Sequence, residues 1–189
     1  MTFTTSSWIF LAVMAVVIVI IIGMYNRLVS LRQQSRAAWS DIDAQLKRRA
    51  DLVGNLVETV KGYAAHEERT LTEVTRWRSA ATTARSPHEA SAAETGLTQA
   101  LRGLFAVAEA YPDLKADQSF VGLQAELSQL EMDALNARRY YNAVVRDYNT
   151  ALETFPSSLI ATLGAFRPQT FFELDTPAER KPPRVSFER

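Results

Sequence analysis

Cysteine is absent from the 189 residues, and histidine occurs only twice. Without a thiol the chain has no disulfide, no cysteine nucleophile, no thiolate metal site and no lipid-modified cysteine anchor. Neither sign of charge is in excess, because Lys+Arg and Asp+Glu both number 21 and the formal net charge is zero. This balance argues against a nucleic-acid-binding surface, and we expect no nucleic-acid partner.

Motifs that carry enzyme chemistry are also missing. The sequence holds no glycine-rich phosphate loop and no Gly-x-Ser-x-Gly turn. The closest approach to a metal cluster is His66-Glu67-Glu68, but Thr70 stands where a His-Glu-x-x-His helix needs its second histidine. A solvated helix face is the better interpretation of these residues. We expect no catalytic residue, no metal and no cofactor, and therefore a protein that is not an enzyme.

A long apolar segment dominates the beginning of the chain. Residues 8–24 contain no charged side chain, and an uncharged stretch of this kind crosses a bilayer as a helix. Aromatic rings favour the membrane interface, and they occur here at both ends of the segment. The predicted membrane anchor is represented by Trp8, Phe10, Leu11, Val16, Ile20, Met24 and Tyr25.

Basic residues set the predicted orientation of this anchor. No Lys or Arg precedes it, whereas Arg27, Arg32 and Arg36 follow it. Flanking basic residues stay on the cytoplasmic side, so we expect the N-terminus outside and the rest of the chain in the cytoplasm. The alternative is a cleaved signal peptide, which needs a basic start and a small-x-small cleavage site. Residues 1–7 carry no basic side chain and residues 22–26 offer no such site, so we expect an uncleaved anchor.

Proline is absent between Asn26 and Arg85, and apolar residues recur there about every three and a half positions. This spacing is typical of a coiled coil or bundle helix and predicts one helix from the membrane to about Arg85. Such a helix would be longer than the helices packed beside it, so other subunits would have to cover the rest of its apolar side. The alternative is a break near Gly62 that yields a four-helix bundle within one chain. The apolar stripe, for self-association or packing, comprises Leu28, Trp39, Ile42, Leu46, Val53, Val57 and Val60.

Capping signals place the later helices. Ser86-Pro87-His88-Glu89 is a helix start with a capping box, and this second helix ends at Tyr111-Pro112. A third helix runs from about 118 to Phe155-Pro156, and Ser157-Ser158 can cap a short fourth that ends at Gly164. The predicted fold is all-α, with the transmembrane helix continuing into an antiparallel bundle of three long helices plus a short fourth. The predicted regions are an exposed tail 1–7, the transmembrane helix 8–24, the bundle 25–174 and a disordered tail 175–189.

Tyrosine-asparagine pairs repeat in the third helix. Their spacing of seven residues places both pairs on one side, and two polar residues of the first helix lie near the apolar stripe. Buried amides and hydroxyls need partners, and such contacts fix the register of packed helices. We interpret the set as polar register contacts, within or between subunits, rather than a ligand site. Its members are Asn55, Glu58, Tyr141, Asn142, Tyr148 and Asn149.

The motifs around these positions resemble the LemA family from about Tyr25 to Glu173. The matching stretches are Tyr25-Asn26, Ala38-Trp39-Ser40-Asp41-Ile42-Asp43, Asn55-Leu56-Val57-Glu58-Thr59-Val60-Lys61-Gly62-Tyr63-Ala64, Tyr111-Pro112, Arg139-x-Tyr141-Asn142, Asp147-Tyr148-Asn149 and Phe155-Pro156-Ser157. Two positions depart from the family pattern. Gly54 stands where the family often has proline, and Ala50 stands where it often has a larger ring-bearing residue. The resemblance implies a bacterial single-pass membrane protein with a helical cytoplasmic domain and no established enzymatic activity. A LemA-like relative takes part in forming magnetosome membranes.

These features predict a non-enzymatic scaffold of the bacterial cytoplasmic (inner) membrane that self-associates through long amphipathic helices and organises or shapes the membrane. The alternative is a membrane-tethered adaptor that recruits a protease or signalling protein through its bundle or its tail. The expected partners are membrane lipids and further copies of the chain, with another membrane protein as a further candidate.

Overall fold

The computed structural model describes residues 5–172, with side chains from Ser7 onward, and all of the elements within this range are α-helices. They are α1 (Thr5–Tyr63), α2 (Glu68–Thr83), α3 (Pro87–Ala108), α4 (Pro112–Ala116), α5 (Gln118–Glu153) and α6 (Ser157–Leu163). The predicted all-α fold is confirmed, as is the long apolar N-terminal helix.

The chain divides into two compact units that share α1 and α5. The described part of the first unit comprises residues 5–40 and 139–170, and that of the second comprises 41–138 with 171–172. The four regions predicted from sequence remain predictions, and the tail 175–189 lies outside the described residues.

The first helix ends at Tyr63, so the prediction of an unbroken helix to Arg85 is wrong and the alternative of a break near Gly62 is correct. The amide of Glu67 donates to the carbonyl of Ala64 at 3.1 Å, which closes a turn before α2 begins. The reversal returns Leu71 and Val74 to the core cluster that holds the end of α1. Tertiary packing of this apolar surface outweighs the helix-forming tendency of residues 64–68.

The start of α3 follows its capping signal, except that the Glu89 side chain binds the amide of Arg85 rather than that of Ser86. The Ser86 hydroxyl accepts from the Glu89 amide at 3.2 Å, and Pro87 occupies the first turn, as predicted. The Glu89 carboxylate accepts from the amide of Arg85 at 2.8 Å, one residue before the capping residue. Two hydrogen bonds thus satisfy donors that a helix start leaves free.

The short last helix was predicted correctly in place but not in its cap. No side chain caps α6, because Pro156 occupies the capping position. The Ser157 hydroxyl donates to the carbonyls of Ala151 at 2.7 Å and Thr154 at 2.8 Å. It therefore ties the beginning of α6 to the end of α5.

Within the first unit, α1 and α5 run antiparallel. Leu28 and Ala151 share one buried cluster, while further along α1 the Trp39 ring lies 5.9 Å from the Tyr141 ring. Residues with higher numbers in α1 thus contact residues with lower numbers in α5. α6 closes the same cluster through Ala161.

Within the second unit, all five of its helices contribute to one apolar core. The fully buried side chains include Val53 and Val60 of α1, Val74 of α2 and Leu97 of α3. Leu114 of α4 is also fully buried, so the residues predicted as a link at 113–117 carry a core side chain. Burial of each such side chain stabilises the fold by about 1.5–3 kcal/mol.

Close packing of α2 on α3 requires glycine at position 96. A Cβ atom built there would lie 2.3 Å from Trp77 Cδ2, far inside van der Waals contact, whereas one at Gly103 would meet only Thr70 Cγ2 at 3.9 Å. Both glycines lie in α3, so they test packing and helix propensity separately.

We expect Gly96→Ala to lower the free energy of unfolding, because overpacking costs about 1–3 kcal/mol and exceeds the gain of at most about 1 kcal/mol in helix propensity. Chemical denaturation monitored by circular dichroism measures the change. The matched control is Gly103→Ala, which has room for the methyl group and should be neutral or stabilising. Equal effects of the two substitutions would contradict the packing argument.

A surface hydrogen bond joins the end of α1 to the start of α5. The Tyr63 hydroxyl donates to Asp117 Oδ2 at 2.8 Å, and Asp117 Oδ1 accepts from the Ser119 amide at 2.7 Å and the Phe120 amide at 3.1 Å. The bond from Tyr63 is the main reason why the pKa of Asp117 is lowered. The same hydrogen bond is the main reason why the pKa of Tyr63 is raised.

A carboxylate whose pKa is lowered by folding stabilises the fold above its ordinary pKa and loses this contribution as the pH falls through the lowered value. We therefore expect Asp117→Asn to melt below the wild type at neutral pH, and the difference to shrink as the pH falls below the ordinary carboxyl range. Thermal melts across acidic pH measure it. Asp51→Asn, at an exposed position of α1, is the control. A gap that widens with acidity would contradict the assignment.

Candidate functional site

The apolar beginning of α1 is exposed rather than packed among the described residues. The hydrophobic window that qualifies as a membrane span has none of its residues buried inside the chain. Exposed fractions are 64% for Trp8, 58% for Val16 and 46% for Tyr25. Large apolar side chains exposed on every side of a helix are typical of a segment in contact with lipid. The other predicted anchor residues, Phe10, Leu11 and Ile20, are likewise exposed, and Met24 is partly buried.

The apolar stripe lies inside the protein rather than on its surface. Its members Leu28, Ile42, Leu46, Val53, Val57 and Val60 are at most 8% exposed, and Trp39 is partly buried. The break after Tyr63 supplies the missing cover in the second unit, because it returns α2 to the same core. The stripe is therefore a packing surface, and a single chain covers it without neighbouring subunits.

Polar contacts in the first unit tie α5 to the segment that follows α6. The Tyr141 hydroxyl donates to the carbonyl of Thr170 at 2.8 Å, and burial raises its pKa. The Asn149 amide donates to the carbonyl of Gln169 at 2.8 Å and accepts from the Gln169 amide at 2.9 Å. Two of the four predicted register residues of α5 thus bind backbone rather than side chains. Asn142 is partly buried beside them.

Tyr148 is the most buried polar member of the predicted set. Its side chain has no exposed surface, and its hydroxyl forms no hydrogen bond with the residues that the structure describes. Burial raises its pKa, while the positive charges of Arg32 and Arg36 oppose the shift. The ring therefore acts mainly as a core side chain, with its hydroxyl directed at a basic part of α1.

Asn55 and Glu58 are exposed, so a register contact of these two residues between subunits stays a prediction. Glu58 pairs with Lys61 at 3.6 Å on the surface of α1. Both residues line a groove of about 1000 Å³ between α1 and α2 in the second unit. The groove also carries Glu68 and the two arginines of α2 at positions 76 and 78, so its walls have both signs of charge.

A buried ion cluster, which the sequence did not reveal, lies in the second unit. The Glu94 carboxylate accepts from the guanidinium groups of Arg49 and Arg138, the latter at 2.8 Å, and Arg49 also donates to Thr98 at 3.2 Å. Arg49 and Glu94 are only 2% and 3% exposed. Burial lowers the pKa of Arg138, and the charge of Glu94 opposes this shift. Arg49 belongs to a run of three basic residues that looks solvated, so no sequence signal distinguished it.

Removing the acidic partner should destabilise this cluster strongly. We expect Glu94→Gln to cost about 3–5 kcal/mol of unfolding free energy, because two buried guanidinium groups lose their counter-charge. Denaturant titration measures the cost. The control is Glu131→Gln, whose side chain is 56% exposed and lies 3.6 Å from Arg49, and it should cost no more than about 1 kcal/mol. A Glu94→Gln protein as stable as the control would show that the cluster does not depend on this charge.

Titratable side chains do not converge on a metal-binding arrangement. Across residues 5–172, no group of three or more His, Asp or Glu side chains is placed to hold a metal ion. His66 is exposed in the turn between α1 and α2. Its neighbour Glu67 accepts from the Tyr111 hydroxyl at 3.4 Å, which is a structural contact.

Comparison with protein families identifies the chain. The LemA family model matches residues 38–187, which is most of the sequence and includes α2 to α6 and the part of α1 from residue 38 onward. The chain belongs to the LemA family. The match confirms the resemblance deduced from the sequence motifs.

Curated relatives of this LemA-family chain include a protein named LemA and proteins named MamQ. It is 28% identical to Protein LemA of Metamycoplasma hominis over 74% of the chain, and 23% identical to Magnetosome protein MamQ 2 of Paramagnetospirillum magneticum over 79%. Magnetosome protein MamQ of Magnetospirillum gryphiswaldense is 22% identical over 78%. The chain spans 64% of the length of each of these three relatives. Together with the bare apolar helix, these similarities indicate a membrane-anchored protein.

Proposed function

We propose that this LemA-family chain is a non-enzymatic scaffold that organises or shapes the bacterial cytoplasmic membrane. Its N-terminus lies outside and its helical units lie in the cytoplasm. The observation that carries the proposal is α1 itself, whose lipid-facing segment continues without interruption to Tyr63 in the second unit. A helix that passes from membrane to core couples the packed part of the protein mechanically to the bilayer.

Two further observations support a role without catalysis. Several polar side chains inside the described protein are engaged in structure, as in the Arg49–Glu94–Arg138 cluster and the contacts of Tyr141 and Asn149 with backbone. The names of the MamQ relatives assign those proteins to magnetosomes, which are membrane-bounded compartments. A structural role at a membrane fits both observations.

Self-association, which the scaffold requires, must use an exposed surface, since the apolar stripe is covered. The groove between α1 and α2 is the best candidate in the second unit. Its walls present Glu58 and Glu68 together with Lys61, Arg76 and Arg78. Mixed charges allow a two-fold contact in which each copy pairs its acidic groups with the basic groups of the other.

The second candidate function is an adaptor that recruits a protease or signalling protein. The same groove supports it, because a cleft of about 1000 Å³ with both charged and apolar side chains in its walls is large enough to receive a segment of another protein. The two functions differ in occupant: a further copy for the scaffold and a different protein for the adaptor.

The two functions are tested by purifying the full-length protein in lipid nanodiscs. Native gels and mass photometry then measure the size of the particles. We expect discrete oligomers for the wild type, and smaller particles for Glu58→Arg with an unchanged melting temperature, because the substitution reverses charge in the groove. Leu46→Ala in the stripe should instead cost about 2–5 kcal/mol of stability without a specific effect on assembly. Asp51→Arg, an exposed change on α1 outside the groove, is the charge-matched control.

The outcomes separate the two functions. A strictly monomeric wild type would refute the scaffold. A co-purifying protein that binds this monomer, and is lost with Glu58→Arg or on deletion of residues 175–189, would select the adaptor. Oligomers that resist Glu58→Arg but dissolve with Leu46→Ala would contradict the groove as the contact surface.

A further inference from the structure

A cluster of bare apolar side chains lies far from the N-terminal span in sequence. Among the described residues beyond Tyr25, the three most exposed large apolar side chains are Leu163 at 86%, Phe155 at 77% and Leu159 at 58%. All three fall within nine consecutive positions, in the turn between α5 and α6 and in α6 itself. Their concentration in one short stretch forms an apolar surface that the described residues leave exposed.

The helix α6 is amphipathic, with its two faces in different surroundings. Ala161 is buried against Leu28 of α1, and Ile160 packs against the same cluster. Leu159 and Leu163 are four residues apart, so they share the opposite, exposed face. The inner face therefore fixes the helix to the first unit, and residues 5–172 leave the outer face uncovered.

This surface lies beside the end of the membrane span. Phe166, just after α6, contacts Tyr25 edge-to-face with ring centroids 5.6 Å apart. Phe155 lines one small groove with Met24 and Arg27. Along α1, the α6 contact at Leu28 is only about 4.5 Å beyond Tyr25. A headgroup layer is about 5–7 Å thick, so α6 falls within its depth when Tyr25 marks the interface.

We propose that Phe155, Leu159 and Leu163 insert into the headgroup layer of the same membrane that α1 crosses, as a second, interfacial membrane contact. Short amphipathic helices bind membranes in this way, with the apolar face buried at the boundary between headgroups and acyl chains. Arg27, which lines the same groove as Phe155, and Arg167, which follows Phe166 in sequence, are exposed and can reach lipid phosphates. The inference rests on the anchoring of α1 that the proposed function also requires.

A lipid occupant follows from position rather than from apolar character alone. The surface is continuous with the lipid-facing side of α1 through Met24 and Tyr25, so lipid is already its neighbour. A second contact would also restrict the rotation and tilt of α1, which a lone span leaves free. The first unit would then keep one orientation toward the bilayer.

Site-directed spin labelling of the full chain in liposomes of phosphatidylethanolamine and phosphatidylglycerol tests the proposal. The absence of cysteine lets each label occupy one chosen site. Labels are placed at Leu163→Cys and Leu159→Cys, with Val16→Cys inside the span and Ser40→Cys, about 22 Å along α1 beyond Tyr25, as controls. We expect collisions with oxygen to exceed those with a water-soluble nickel complex severalfold at Val16→Cys, and the reverse at Ser40→Cys. The α6 labels should give a ratio between these two limits, because the headgroup layer lies between the acyl chains and water.

Each pattern of collisions decides a different point. Lipid-like values at Val16→Cys with water-like values at both α6 sites would overturn the inference and leave the anchor intact. Water-like values at Val16→Cys would refute the anchor and hence the proposed function. Protection of the α6 sites from both reagents would indicate a protein occupant and overturn the inference.

A second variant guards against disturbance by the labels. Leu159→Gln combined with Leu163→Gln replaces exposed side chains only, so the melting temperature should not change. A label at Phe155→Cys should become severalfold more accessible to the nickel complex in this background. Unchanged accessibility would contradict a shared lipid contact.

Discussion

The reversal of the chain between Tyr63 and Glu68 is the constraint on which the rest of the second unit depends. It returns Leu71 and Val74 to the side of α1 that carries Val53, Val57 and Val60, and the five side chains enter one core. A continuous helix would have carried the first two away from this core. The reversal therefore converts an apolar stripe, which would otherwise require a partner, into the interior of a single chain.

This conversion changes what assembly can mean for the protein. An oligomer held by the stripe would be obligate, because its subunits could not fold without one another. A chain that covers its own stripe can exist alone and associate through polar surfaces such as the groove between α1 and α2. Association of that kind is weaker and reversible, and it responds to salt because charges line the groove.

Local signals in the sequence predicted most of the fold. The apolar run at 8–24, the Ser86-Pro87 start of α3 and the Phe155-Pro156 stop each act within a few residues, so they can be recognised without the structure. The break after Tyr63 could not, because residues 64–68 are good helix formers and only the distant partners of Leu71 make the turn favourable. Propensity and packing disagree there, and packing prevails.

The candidate site shows the same limit. Glu94 lies among small residues of α3, and nothing near it in sequence indicates that Arg49 and Arg138 converge on it from α1 and α5. Tyr141 and Asn149 were recognisable as polar side chains that need partners, but the partners are backbone groups of Gln169 and Thr170. The sequence cannot indicate which backbone carbonyl a side chain will bind, since every residue has one.

The extended segment after α6 has a practical consequence for defining the folded region. Its carbonyls at 169 and 170 satisfy Asn149 and Tyr141, and the Phe172 ring lies 4.8 Å from the guanidinium of Arg138. A fragment cut at the end of the last helix would leave those groups without their partners. Any excised version of this protein must therefore extend at least through Phe172, well past the end of α6 at Leu163.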